Sequence, residues 1–250
     1  EVPDTYGDRV LDLETGLADR AASDRVLDEI GERAVEAAVT LKEADPEGVE
    51  VVVVTMGPET ASTGLRKGLA MGADRALHIQ DEALAGADLT LTAEVLAAAA
   101  RREGYDLVLA GVLSTDGTGG VVPAMVAEHL GVAHLTSLDS LEREGDRISG
   151  SRAVDGGVAR VSAALPAVAS ITEALPDARF PSFKGIMAAK KKPLDAVALA
   201  DLGVAASLTT PRSIMTAISA KPPRAQGTVI TDEGDGGARL AEFLLAQKLV

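Results

Sequence analysis

The stretch Gly111-Val112-Leu113-Ser114-Thr115-Asp116-Gly117-Thr118-Gly119-Gly120, continuing into Val121 and Val122, has the residue types of an anion cradle. Its glycines let the backbone approach a ligand closely. Ser114, Thr115 and Thr118 add hydroxyl donors. Free amides at the start of the helix that follows point at an anion, and the helix dipole favours the same sign of charge. No lysine lies between Gly111 and Glu128, and the glycine spacing is not G-x-G-x-x-G. The loop thus lacks both the phosphate-gripping lysine of a Walker loop and the dinucleotide fingerprint. A phosphate here is held, not transferred. The same residues also read as a glycine-rich crossover turn without a ligand.

The rest of the chain offers little covalent or acid–base chemistry. Its 250 residues include no Cys, and three histidines, His78, His129 and His134, without ligand spacing. Thiolate chemistry, disulfides and a His-based metal site are therefore set aside. No paired carboxylates flank a cleft motif, and no Ser, His and Asp follow a nucleophile elbow. The formal net charge of −14 disfavours nucleic acid and anionic membrane, whose binding runs on Lys and Arg. It leaves room for one small nucleotide held by backbone amides. The aromatics are Tyr6, Tyr105, Phe180, Phe183 and Phe243, with no Trp, so stacking platforms for a base or flavin ring are scarce. No apolar run approaches the ~20 residues of a membrane helix, and no signal peptide is visible. Absence of cysteine fits a reducing compartment, here read as the cytoplasm.

Holding such a loop takes a parallel α/β sheet, because ligands of open α/β folds sit at the C-terminal ends of the strands. The spacing of Val26, Ile30, Ala34 and Ala38 predicts a helix from Asp24 to about Ala44. The β-branched run Val49–Val54 predicts a strand buried on both faces. Gly57-Pro58 opens a helix to about Met71, and Arg75–Ile79 is a second strand. A helix from about Leu91 to Glu103 stops at Gly104. Asp106–Gly111 is a third strand, leading through the glycine-rich loop to a helix ending near Leu130. This alternation predicts right-handed crossovers and a parallel sheet. Further on, Ile148–Ala153 and Val158–Ala164 flank Asp155-Gly156-Gly157 as a hairpin, and Leu165–Ile171 is another strand. Glu1-Val2-Pro3-Asp4 reads like the loop after a strand, with that strand missing. Residues 1–175 form the expected nucleotide-binding α/β domain. Residues 176–250 are broken by Pro, Gly and charge, contribute little core between 178 and 208, and read as an arm ordered by a partner, with a last helix from about Gly237 to Leu249.

Four blocks in one order across nearly the whole chain resemble electron-transfer flavoprotein beta subunits. They are Gly57-Pro58 with Ala70-Met71-Gly72-Ala73-Asp74-Arg75-Ala76; Ser114 to Gly120 with Pro123 and Ala127-Glu128-His129-Leu130-Gly131; Arg152-Ala153-Val154-Asp155-Gly156-Gly157 with Leu165-Pro166-Ala167-Val168; and Phe183 to Lys192. The resemblance implies an adenine-nucleotide alpha-hydrolase-like, Rossmann-like domain with a C-terminal extended arm embracing an alpha subunit. It implies one structural AMP, FAD held mainly by the alpha subunit, and no catalysis by this chain alone. Electrons arrive from acyl-CoA or other flavin dehydrogenases, as in fatty acid beta-oxidation, and leave through the electron-transfer flavoprotein:quinone oxidoreductase. The family's AMP loop matches Gly111 to Val122. Met56 and the segment Asp28 to Gly31 match further nucleotide-contacting positions, although an Asn-Pro pair common in the family is Asp28-Glu29 here and an acid of the hairpin is Ala159. Tyr6 lies one place beyond an aromatic found near the flavin. The family's recognition loop matches about Pro176 to Lys192: its anchoring Leu is Phe183, Ile186 and Met187 lie beside it, and Lys190, Lys191 and Lys192 steer acidic partners.

Three rivals share parts of this pattern. Flavin-bifurcating relatives hold a second FAD in place of AMP, but their loop carries an additional Asp and a Thr-Ala-Gln after the Asp-Gly pair, where Thr118-Gly119-Gly120-Val121 stands here. A stand-alone ATP- or AMP-binding protein of the universal-stress type shares the sheet and loop and does not need the arm. An ATP-pyrophosphatase carries a Ser-Gly-Gly-type loop after its first strand, and none is found.

Overall fold

A computed structural model of the chain describes residues 1–4, 10–204, 212–223, 227, 229 and 231–250. It divides into two units, Glu1–Thr216 and Ala217–Val250.

The first unit opens with β1 (Val2–Pro3), which pairs antiparallel with β2 (Arg25–Val26). Helix α1 (Glu29–Ala44) is capped by Asp28, six residues before its buried Ala34. The predicted start at Asp24 is too early because residues 25 and 26 are extended against β1. Strand β3 (Val52–Met56) also starts later than the apolar run suggests. The Val51 amide goes instead to the Asp74 carboxylate at 2.8 Å. After Gly57-Pro58 comes one 3₁₀ turn, Glu59–Ala61, and then α2 (Ser62–Met71). Strand β4 (Arg75–Ile79) follows, then α3 (Leu89–Glu103), capped by Asp88 on the Leu91 amide at 2.8 Å. Strand β5 (Leu107–Gly111) leads through the glycine-rich loop to α4 (Val122–Leu130).

Strand β6 (Ala133–Leu138) has no sequence-level signal, being interrupted by His134 and two hydroxyl residues. The short β7 (Glu142–Glu144) pairs with β8 (Arg147–Val154), and β8 pairs with β9 (Gly157–Ala164) through the predicted Asp155-Gly156 turn. Strand β10 (Ala167–Ile171) is buried at every position. Helix α5 (Phe183–Ala189) and strand β11 (Leu194–Val197) complete the unit.

The expectation of little core between 178 and 208 is corrected here. Strand β11 extends the sheet in parallel beside β4, with Val197 opposite Ile79. Val197, Leu199 and Val204 are buried with Leu77, Ile79 and Val95. The segment escaped notice because four residues interrupted by Asp195 show too little period to separate strand from loop.

The central strands are all parallel, as the alternation predicts, but form two sheets of order β11-β4-β3 and β5-β10-β6. Helix α1 packs on β5, α2 on β3 and β4, and α4 on α3 and β10. The second unit contains α6 (Gly236–Ala246), preceded by Asp232, whose carboxylate accepts from the Gly234 and Gly236 amides at 2.9 and 2.8 Å. Leu240, Phe243 and Leu245 of α6 are exposed.

Candidate functional site

The glycine-rich loop is built from both of its ends. Strand β5 stops at Gly111, and the Val112 amide still bonds the Ile171 carbonyl of β10 at 2.8 Å. Beyond this the loop folds on itself. The Thr118 amide donates to the Ser114 carbonyl at 2.9 Å, and the Gly117 amide to Ser114 Oγ at 3.2 Å and Asp116 Oδ1 at 2.6 Å. Thr118 has φ of +51°, a conformation rare for a residue with a side chain and concentrated at functional turns.

Asp28 ties this loop to α1. Oδ1 accepts from the Ile30 and Gly31 amides at 3.0 and 3.2 Å, an N-cap arrangement. Oδ2 accepts from the Thr115 amide at 2.7 Å. The carboxylate is buried and both oxygens are engaged by backbone. Of the segment matched above to a nucleotide-contacting position, Asp28 bonds the loop and Gly31 bonds Asp28, and the carboxylate that replaces the family's amide has a defined acceptor role.

Residues Asp116 to Val121 are exposed, and α4 begins at Val122 with Pro123 in its first turn and no side-chain cap. Among the described residues, the amides of Gly119, Gly120, Val121 and Val122 donate to no protein acceptor. Such donors at a helix start need an anion or water. A β-carbon built on Gly119 meets only Leu89 Cδ1, at 3.9 Å, so the space over this residue is open to a ligand. Donors, open space and absence of lysine fit the phosphate of a mononucleotide. Ser114, Thr115 and Thr118 lie on the same loop. Met56 is the last residue of β3, and its side chain packs into the cluster around Leu77 and Ile79. Tyr6 lies outside the described residues. Among the described residues, no three His, Asp or Glu side chains gather as metal ligands.

A second surface lies elsewhere. The segment matched to the recognition loop contains a helix, α5, capped by Ser182 on the Gly185 amide at 3.0 Å. It lies directly on α2: a β-carbon on Gly185 would fall 2.4 Å from the Ala70 carbonyl oxygen. Phe183 is 80% exposed, and Ile186 and Met187, three and four residues on, share its face. Phe180 beside it is 96% exposed. Sequence reasoning missed Phe180, although an aromatic between Arg179 and Pro181 was the available signal. Lys190 and Lys191 are exposed. Lys192 is not equivalent: its Nζ donates to the Leu69 and Ala73 carbonyls at 3.0 and 2.5 Å, closing the end of α2, and burial pulls its ammonium below the ordinary lysine range. The run up to α5 is held to α1 by Arg179, whose guanidinium binds Glu36 at 2.7 Å and also Glu43.

Among the described residues, no helix is long and apolar enough to cross a membrane. The electron transfer flavoprotein domain model matches residues 15–202. The chain is 46% identical to the electron transfer flavoprotein subunit beta of Mycobacterium leprae over 257 aligned positions, covering 100% of this chain and 97% of that one. It is 37% identical to the subunit of the same name from Syntrophomonas wolfei, over 94% of this chain and 89% of the relative. The caffeyl-CoA reductase-Etf complex subunit CarD of Acetobacterium woodii is 35% identical over 82% of this chain and 78% of its own. With a loop that presents free amides, a parallel α/β core and full-length similarity, the chain belongs to the electron transfer flavoprotein family as a beta subunit.

Proposed function

We propose that this chain holds one AMP as a structural ligand in the loop Gly111–Val122, pairs with an alpha subunit, and docks partner dehydrogenases through the α5 face. The observation that carries the nucleotide assignment is the row of free amides from Gly119 to Val122 at the start of α4, on a loop without lysine. Backbone donors with a helix dipole bind a phosphate without polarising it for transfer, so AMP is retained, not turned over. FAD, held mainly by the alpha subunit, supplies the redox chemistry when bound. The residues of this chain orient the loop, shape the interface and receive acyl-CoA or other flavin dehydrogenases and the quinone oxidoreductase.

The exposed Leu240, Phe243 and Leu245 of α6 suit an arm that packs on the alpha subunit, since apolar side chains in such a row are covered in an assembly. The test is chemical. Denaturing the purified heterodimer and chromatographing the released nucleotides is expected to give one AMP and one FAD per dimer. Recovery of two FAD, or steady ATP hydrolysis, overturns the assignment in favour of a bifurcating or hydrolytic site.

A further inference from the structure

Leu89 stands apart from the helix it begins. Leu91, Ala93, Val95 and Ala97 of α3 are at most 5% exposed, whereas Leu89 is 48% exposed. Among the described residues, its Cδ1 is the one heavy atom within 4 Å of a β-carbon built on Gly119, at 3.9 Å. Gly119 carries the first of the amides that donate to no protein acceptor. An isobutyl group there covers no core and cannot solvate a phosphate. It can pack on the uncharged part of a ligand whose phosphate those amides hold, as the apolar wall of a ligand site does.

The residue before Leu89 ties it to the far end of the unit. Asp88 Oδ1 caps α3 on the Leu91 amide at 2.8 Å. Its Oδ2 accepts from the Arg212 and Ser213 amides at 2.7 and 2.8 Å and from Ser213 Oγ at 3.3 Å. The Arg212 guanidinium reaches Glu94 of α3 at 2.9 Å. The Met215 side chain fills the place where a β-carbon of Gly16 would stand. Leu17, beside Gly16, lies 2.9 Å from the same position on Gly86, two residues ahead of Asp88. An exposed ion pair such as Arg212–Glu94 holds little. Two successive backbone amides on one carboxylate oxygen are charge-assisted and carry the attachment. Segment Arg212–Met215 is thus hooked on the turn that presents Leu89 to Gly119.

We propose that Leu89 is a wall of the nucleotide site, packing on the ribose of the mononucleotide held at Gly119–Val122, and that Arg212 and Ser213, hooked on Asp88, keep it there. This rests on the nucleotide assignment above and adds to it a contact residue and a means of regulation. With the phosphate on the amides, the group next to it is the sugar, whose C–H edges suit an isobutyl surface. Asp88 and Leu89 are consecutive, so the hook and the wall move together. Bound nucleotide therefore strengthens attachment of Arg212–Met215, and attachment slows loss of nucleotide; linkage makes the two effects equal in affinity.

The test uses the purified heterodimer with AMP as the probe. Magnetisation transfer from the ribose protons to a methyl-labelled leucine is expected in the parent and is lost in Leu89→Met, which assigns the signal. Leu89→Ala should release AMP about tenfold faster, and Leu89→Met within about twofold of the parent. Asp88→Ser keeps a capping oxygen for α3 and loses the second acceptor. It should release AMP faster and be cut faster by protease at residues 212–216. Stripping AMP from the parent should speed the same cleavage, and in Leu89→Ala AMP should no longer protect. No transfer to Leu89, parental release from Leu89→Ala, or parental release and cleavage in Asp88→Ser overturns the proposal while AMP in the parent still upholds the nucleotide assignment. Absence of AMP from the parent overturns both. If a variant fails to assemble, magnetisation transfer and AMP-dependent cleavage in the parent decide.

Discussion

Asp28 Oδ2 accepts the Thr115 amide at 2.7 Å, joining residues 87 apart in sequence. The same carboxylate caps α1, so one side chain sets both the start of a helix and the base of the glycine-rich loop. Asp28→Asn keeps one oxygen and turns the other acceptor into a donor, which opposes either Thr115 or the α1 amides. We expect AMP affinity to fall about tenfold, equivalent to about 1.4 kcal/mol, while the heterodimer still forms. Asp28→Ala is expected to lose about 1–2 kcal/mol of stability from the cap as well. Calorimetric titration of AMP and thermal unfolding separate the two effects. Unchanged AMP affinity in both variants would falsify the positioning role.

Gly119 and Gly120 are expected to behave differently. Gly119 has open space over its Cα and no positive φ, so Gly119→Val should leave melting within about 0.5 kcal/mol of the parent and lower nucleotide occupancy. Gly120 has φ of +64°, so Gly120→Ala should cost about 1 kcal/mol even without ligand. Full AMP occupancy in Gly119→Val places the nucleotide elsewhere.

Phe183→Ala removes a side chain that is 80% exposed, so stability, AMP content and the FAD spectrum are expected to hold. Truncating an aromatic anchor costs roughly 2–4 kcal/mol, or about 30- to 1000-fold in affinity. Electron transfer from a partner dehydrogenase should slow accordingly while artificial dye reduction stays normal. Unfolding or loss of the alpha subunit would make Phe183 structural. Phe180→Ala, at 96% exposure, is expected to act in the same direction.

The Arg179 contact carries a pH signature. Hydrogen bonds from the Arg179 side chain hold both Glu36 and Glu43 below the ordinary glutamate value of 4.5. Folded values below the unfolded one mean that the contact's contribution is present above about pH 4.5 and is lost as pH falls through the lowered values. Limited proteolysis of residues 176–192 should therefore accelerate in acid. Arg179→Met should be cleaved quickly at neutral pH, with a smaller further increase in acid. An identical pH profile in the two proteins removes Arg179 as the tether.

Lys192 and Lys190 offer an internal contrast. Lys192→Met removes two hydrogen bonds, to the Leu69 carbonyl of α2 and the Ala73 carbonyl just beyond it, and is expected to cost about 1–2 kcal/mol. Lys190→Ala should change melting by no more than about 0.5 kcal/mol and weaken docking more at low salt than at high salt. Equal stability of the two variants would show that the Lys192 cap contributes nothing.

Local pattern determined much of this protein. The periods of α3, β4, β5 and the β8–β9 hairpin are written in consecutive residues, because a helix or strand buries a face set by its own repeat. The glycine-rich loop, its lack of lysine and the exposed Phe183 were legible for the same reason: residue type alone states what backbone or side chain is on offer. Pairing was not legible. Nothing near β10 says that it lies between β5 and β6, and nothing in Leu194–Val197 says that it joins β4. The functions of Asp28 and Lys192 were hidden likewise, since each is decided by a backbone group 87 or more than 100 residues away. A cap, a clamp and a solvated charge use the same side chains; only the fold's choice of which distant amide or carbonyl stands opposite distinguishes them.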